Sequence, residues 1–357
     1  MFDLKAHLKT LSETHAPSGH EAPIREVLRF EWADVVDTME TDKLGSLIGI
    51  KRATHPTDPP RKIMLAAHMD EIGLMVREIR DGFIFVHSIS GIDNRLMPAQ
   101  PVMVHGRRSL PGLVATVPPH LLAGGANRYL TMDELIVDVG LPAAEVETLV
   151  RVGDLITPDV PLIELQGSRV AGKAMDDRAC VAAVTACLHE LQGLHHSWDV
   201  YAVATVQEET GLIGATTAAY FIKPDIAIAL DVGFAPQPGV DADTTREMNA
   251  GPALGVGANF HPGLLDKIRE TAKRTEIKMQ EEIIPAASGT DAWSIQVALQ
   301  GIPTALFSLP IRNMHSPVET IDLRDISRTG RLLAQFIADL DADFLSAIAW
   351  SEAKAQD

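Results

Sequence analysis

Cysteine is scarce in this chain of 357 residues: only Cys180 and Cys187 occur. They fall seven apart in a stretch of helical character. At ~1.5 Å rise per residue their Cα atoms lie ~10 Å apart, too far for a disulfide. A disulfide-stapled scaffold is excluded, and a reducing cytoplasm is the expected compartment. Aromatic residues make up 5% of the chain against 46% hydrophobic residues overall, so the core must be built from Ala, Val, Leu and Ile. Positive charge is also in short supply. Lys and Arg total 31 against 48 Asp and Glu, a formal net charge of −17, which argues against nucleic acid or an anionic membrane as partner. Long apolar runs are missing as well. None reaches the ~20 residues of a spanning helix, and Met1-Phe2-Asp3-Leu4-Lys5 lacks the basic and apolar regions of a signal peptide.

What is present is a change of texture along the chain. Helical patterns over Phe2–Thr14 and Glu21–Phe30 precede strand patterns at Lys43–Lys51 and Lys62–Ala67. From about Gly73 to Ile163 come short β-like runs split by Gly and Pro, the mark of a small sandwich or barrel. Strand and helix patterns then alternate, closing with a long helix expected over Leu323–Leu345. Alternation of this kind means crossover connections and a mostly parallel sheet. The expected fold is therefore α/β, with residues 1–71 and 165–357 forming a discontinuous host domain and residues 72–164 a β-rich insertion.

The ends of the host strands carry the chemistry. Lys62–Ala67 runs into His68-Met69-Asp70-Glu71, Val170–Ala174 into Met175-Asp176-Asp177-Arg178, and Asp199–Val206 into Glu208-Glu209. Ile226–Leu230 runs into Asp231, and Pro303–Leu309 leads to His315-Ser316-Pro317. Ligands in parallel sheets bind beyond the carboxyl ends of the strands, so these residues should converge on one edge. Two histidines with several carboxylates suit zinc, cobalt or manganese. Taken singly, each has a plainer explanation: Asp176 and Asp177 could cap the helix that follows, and His315 could be an ordinary loop residue. On an extended backbone Glu208 and Glu209 would face opposite ways, one toward a cation and one toward a reacting water. In His68-x-Asp70 the carboxylate could orient the imidazole of a metal ligand.

As a set, His68-Met69-Asp70-Glu71-Ile72-Gly73, Met175-Asp176-Asp177-Arg178, Gln207-Glu208-Glu209-Thr210-Gly211-Leu212-Ile213-Gly214-Ala215, Leu230-Asp231-Val232, Gly289-Thr290-Asp291-Ala292 and His315-Ser316-Pro317-Val318-Glu319 resemble the M42 metallo-aminopeptidases. These are the glutamyl and tetrahedral (TET) aminopeptidases, some of which carry the label endoglucanase. The resemblance implies a zinc-peptidase-like catalytic domain with a PDZ-like dimerisation insert, to which Pro118-Pro119-His120-Leu121 would belong. It implies two divalent metal ions, Zn or Co, with Asp176 bridging, His68 and Asp231 completing one site, and Glu209 and His315 the other. Glu208 would be the general base, Asp70 the residue orienting His68, and the Asp176–Asp177 peptide bond cis. Short peptides would be the substrates, cleaved at the first residue, and dimers would assemble into a dodecamer. Ser288 stands where the family usually has Gly. A glycoside hydrolase is the alternative, but such enzymes need two carboxyl groups across a sugar and normally no pair of metals, and aromatic platforms are few here.

Overall fold

A computed structural model of the chain describes residues 2–115, 117 and 130–350; Pro118-Pro119-His120-Leu121 lies outside the described residues. The chain opens with α1 (Leu4–Glu13), α2 (Ala22–Trp32), β1 (Thr38–Thr41), β2 (Leu47–Lys51) and β3 (Lys62–His68). The insertion follows with β4 (Gly73–Arg80), β5 (Phe83–Ile89), β6 (Pro101–His105), β7 (Ser109–Ala115), β8 (Ile136–Asp138), α3 (Ala143–Leu149) and β9 (Leu155–Pro158). Next come β10 (Ile163–Glu164), β11 (Arg169–Gly172), α4 (Met175–Leu191), β12 (Asp199–Thr205), α5 (Ile213–Ile222) and β13 (Ile226–Phe234). The chain finishes with β14 (Ala253–Val256), α6 (Pro262–Arg274), β15 (Gln280–Ile283), α7 (Asp291–Gln296), β16 (Thr304–Ile311), β17 (Glu319–Asp322), α8 (Leu323–Ala338) and α9 (Phe344–Ile348).

Eight strands form the host sheet in the order β1-β2-β12-β3-β13-β16-β14-β15. Its centre, β12-β3-β13-β16, is parallel throughout. Those four strands are buried along nearly their whole length, which is why they read as continuous apolar runs rather than alternating ones. The edges are mixed: β1-β2, β2-β12 and β14-β16 pair antiparallel. Helix α4 packs on β3 and β13 and against α1 and α8. It is rich in Ala, Cys and Val and almost wholly buried. The approach of α8 is close because Gly330 has no side chain; a Cβ there would lie 2.7 Å from Ala186 Cβ and 2.9 Å from the Ala183 carbonyl. Helices α5 and α7 pack together and on the central strands.

The insertion is a closed barrel, β4-β5-β8-β7-β6-β9. It has an apolar core of its own that includes Leu74, Val76, Ile84, Val86, Val104 and Ile156. The expected α/β architecture with an inserted β-rich unit is thus present, with three departures. Strand β11 does not belong to the host sheet; it pairs antiparallel with β10 and β17 in a separate three-stranded sheet. The expected helix Leu323–Leu345 stops at Ala338, where the Asp339 N–H turns back to Gln335 and Phe336 carbonyls, and a short α9 follows. Helix α3 lies within the insertion, where only strands were expected.

A buried ion cluster ties the end of β3 to the start of α4. Glu71 accepts from Lys173 Nζ at 2.7 and 2.9 Å and from the Ala16 N–H at 2.8 Å. Arg178 Nη2 lies 3.5 Å from Glu71 and its Nε donates to the Met69 carbonyl at 2.7 Å. Burial would push the Glu71 carboxyl up, but the charges of Lys173 and Arg178 outweigh it and hold the group below its ordinary range. This cluster fixes His68-Met69-Asp70 against Met175–Arg178.

Candidate metal centre

The parallel register brings the strand ends level. Thr205 of β12 stands beside His68 of β3, and Asp231 of β13 beside Ser308 of β16. Asp176 reaches the same place from elsewhere: it follows β11 of the separate sheet through Ala174, whose backbone is left-handed. The expectation that all these residues leave one parallel edge is corrected for Asp176. The Asp176–Asp177 peptide bond is cis, as the resemblance implied.

Around Asp176 two donor groups form. His68, Asp176 and Asp231 are one, and Asp176, Glu209 and His315 the other; within each group one donor atom per residue lies within 4.8 Å of the rest. One oxygen of Asp176 is 3.0 Å from His68 Nε2 and the other 3.4 Å from His315 Nε2, so this carboxylate spans both histidines. Glu209 Oε1 is 3.6 Å from His315 Nε2 and Glu208 Oε2 is 3.8 Å from His68 Nε2. The five candidate ligands and Glu208 therefore share one site, and all of them but His68 line a cavity of 460 Å³ that Ser90, Phe234, Glu282 and Met314 also line.

Glu208 and Glu209 do face different histidines, but not because the strand is extended there. The ladder between β12 and β3 ends at Thr205, and Gln207 takes a left-handed conformation (φ 56°). The pair sits in the turn that follows. That turn is held by Asp70, whose two oxygens accept the Glu208 N–H at 3.1 Å and the Glu209 N–H at 3.2 Å, with Ser18 Oγ donating at 2.6 Å. Asp70 also faces His68 Nδ1 at 3.4 Å. It serves both the imidazole and the glutamate turn.

Four residues join the site beyond those expected there from the sequence. Glu319 accepts the Asp176 N–H at 3.0 Å and the His315 N–H at 2.8 Å, one on each oxygen. Asp177 accepts the His68 N–H at 3.2 Å. From the barrel side, Ser90 Oγ donates to Glu209 Oε2 at 2.5 Å, and the Gly91 carbonyl lies 3.2 Å from His315 Nδ1. With Nδ1 turned to that carbonyl, Nε2 is the His315 nitrogen that faces Asp176 and Glu209. The room comes from Gly91, where a Cβ would meet His315 Nδ1 at 2.8 Å. Glu319 stands in a quoted motif and could have been singled out as a buried acid two residues past a proline. Nothing in the sequence marks Ser90 or Gly91.

Crowding sets the electrostatics. Burial, opposed by His68 but reinforced by Asp231, Asp291 and Asp176, pushes the Glu208 carboxyl up to about 10. Burial and Asp176 push Glu209 up to about 7, and Asp231 is raised by burial against the pull of His68. The bond to Asp176, against desolvation, raises His315 to about 9. Burying this many carboxylates needs compensating charge. Glu209 Oε1 is buried with no hydrogen-bond partner. Imidazole nitrogens and carboxylate oxygens in this number are the donor set of divalent zinc or cobalt, and the site fits such cations.

The sequence pattern of the M42 glutamyl aminopeptidase family matches residues 45–332. A lysyl aminopeptidase of Pyrococcus furiosus is 37% identical over 342 residues, covering 93% of this chain and 96% of that protein. Among solved structures, an aminopeptidase of the archaeon Desulfurococcus kamchatkensis superposes with a TM-score of 0.89 at 35% identity, covering 98% of both chains. A TET peptidase of Pyrococcus horikoshii, which can assemble into a tetrahedron or a large octahedral shell, superposes with a TM-score of 0.83 at 28% identity, covering 95% of this chain and all of that one. Fold, convergent donor groups and these likenesses agree: the chain belongs to the M42 family and is an aminopeptidase, a metallo-hydrolase acting on peptides.

Proposed function

We propose that the enzyme uses two divalent cations, zinc or cobalt, one held by His68, Asp176 and Asp231 and the other by Asp176, Glu209 and His315. Asp176 would be the shared ligand. The single observation that carries this reading is the pair of donor groups meeting at Asp176, with Glu208 beside them and outside both. When bound, such a pair supplies Lewis-acid polarisation of a peptide carbonyl and lowers the pKa of an attacking water. The chain's own residues do the rest. Glu208 takes the proton of the attacking water and returns it to the leaving amine. Its raised affinity for a proton suits an acceptor that must hold one briefly, and cationic charge beside it draws the carboxyl back toward the working range. Asp70 holds the Glu208 and Glu209 backbone and faces His68, which keeps base and ligands in register. Glu319 does the same for Asp176 and His315.

Residues 72–164 are proposed as the dimerisation domain, and dimers as the building block of a dodecamer; one relative of this size and fold was solved as a dodecamer. The test is a panel of aminoacyl chromogenic substrates assayed after chelation and after metal add-back, with metal content measured in parallel. Activity should vanish with chelation and return with two equivalents of Zn or Co per chain. Full activity in metal-free enzyme, or hydrolysis of a β-glucan in place of the amide substrates, would remove the reading.

A further inference from the structure

The cavity beside the metal centre has a carboxylate that the reaction does not use. On the edge strand β15 two glutamates are neighbours, and their exposure alternates. Glu281 points outward and pairs with Arg269 Nε at 2.7 Å. Glu282 points inward and lines the cavity. Its Oε2 is buried with no hydrogen-bond partner, and among the described residues no Lys, Arg or His forms an ion pair with it. Gly233, two residues past Asp231, is its neighbour. A Cβ there would lie 3.5 Å from each Glu282 carboxylate oxygen. The carboxylate thus lies over the strand that delivers a candidate metal ligand.

Phe234, Ile284, Leu306 and Met314 give this cavity apolar walls. The other carboxylates on it, Asp176, Glu208, Glu209 and Asp231, are those assigned to the cations and the base. Among the described residues no Lys or Arg lines it. A cavity that joins these apolar side chains to a carboxylate without an ion-pair partner matches a side chain made of an aliphatic stem and a cationic head. It mismatches an acidic side chain, which would meet Glu282 with no counter-charge.

We infer that Glu282 sets the specificity of the enzyme for peptides whose first residue is basic, by pairing with the side-chain cation of lysine or arginine. This rests on the aminopeptidase and metal-site reading above. A charge-assisted hydrogen bond formed out of bulk water is worth a factor of roughly 10 to 100 in binding.

The experiment compares kcat/KM of the metal-loaded enzyme for lysyl, norleucyl and glutamyl p-nitroanilides, because norleucine keeps the stem of lysine and lacks its ammonium. The wild type should prefer lysyl over norleucyl by about 10- to 100-fold, with glutamyl last. Glu282→Gln should collapse the lysyl-to-norleucyl ratio by that same factor, and Glu282→Lys should lift glutamyl above lysyl. Calorimetric titration with free L-lysine and L-norleucine reads the same pairing without turnover, and the preference for lysine should disappear in Glu282→Gln. A wild type that favours norleucyl or glutamyl overturns the inference and leaves the aminopeptidase reading standing. Equal losses for lysyl and norleucyl in Glu282→Gln also overturn it, since they would place Glu282 at the α-ammonium. A metal-loaded wild type that cleaves none of the three removes both.

Discussion

Replacing Glu319 by glutamine should loosen one metal without touching a ligand. Glu319 is 1% exposed and carries two backbone N–H groups, those of Asp176 at 3.0 Å and His315 at 2.8 Å. Glutamine keeps one acceptor and turns an NH₂ group toward the other N–H, so one charged hydrogen bond is lost and a buried donor is left opposed. Each such loss costs about 1.5–3 kcal/mol, and every 1.4 kcal/mol is tenfold in affinity. The group Asp176–Glu209–His315 has two of its three members held by Glu319, while His68–Asp176–Asp231 has one. The ion on the His315 side should therefore weaken by about 10- to 100-fold, the range typical of groups that orient ligands, and the ion on the His68 side by less. Competition against a chromophoric chelator resolves the two affinities, and turnover titrated with added metal should recover at higher concentration. Two ions held with wild-type affinity in Glu319→Gln would show that Glu319 does not orient the ligands.

Gly91→Ala should act on the same ion by displacing the His315 ring, since its Cβ would start 2.8 Å from Nδ1; half-saturating metal should rise about tenfold or more with thermal stability little changed, and unaltered metal dependence would count against a seated ring. Glu71→Gln should destabilise the fold by about 3–5 kcal/mol, because it strands the buried cations Lys173 and Arg178; denaturant unfolding that shows a loss below about 1 kcal/mol would contradict this. Metal uptake should depend on pH, since Glu209 and His315 hold protons up to about 7 and about 9. Both must release them to bind a cation, so apparent affinity on that side should climb with pH, about tenfold per unit between 7 and 9, where one proton is displaced. The metal-free protein should show the opposite trend. Both folded-state pKa values lie above the ordinary ones, so the folded chain binds more protons than the unfolded chain, through Glu209 from 4.5 to about 7 and through His315 from 6.5 to about 9, and stability falls as pH rises across these ranges. Calorimetry in buffers of different ionisation enthalpy counts the protons, and a pH-independent affinity would refute the assignment.

Much of the centre was legible because a parallel sheet aligns its strand ends. His68, Glu208, Glu209 and Asp231 each follow an apolar run that β3, β12 and β13 bury on both faces, so sequence alone shows where the chain leaves the core. Asp176 was legible as a residue and not as a route, because the pairing of β11 with β10 and β17 is a tertiary choice that four residues cannot announce. Glu208 and Glu209 turn toward different histidines, but not through the extended backbone expected of them. A left-handed Gln207 and the Asp70 carboxylate turn them, and neither conformation nor long-range bond is written in the local pattern. Ser90 and Gly91 were invisible because they come from the barrel, whose contact with the host depends on how two separate cores meet. Glu282 sits in the polar run Gln280–Ile283, where only burial separates it from Glu281.

The proposed mechanism turns on the division of labour between two adjacent glutamates, and Glu208→Gln separates their roles. Metal content and turnover should be measured on the same preparation. Two divalent ions per chain are expected, as in the wild type, with kcat down by about 10²–10⁴-fold, the range for loss of a general base. Turnover near the wild-type value, or one ion lost with Glu208, would contradict that division.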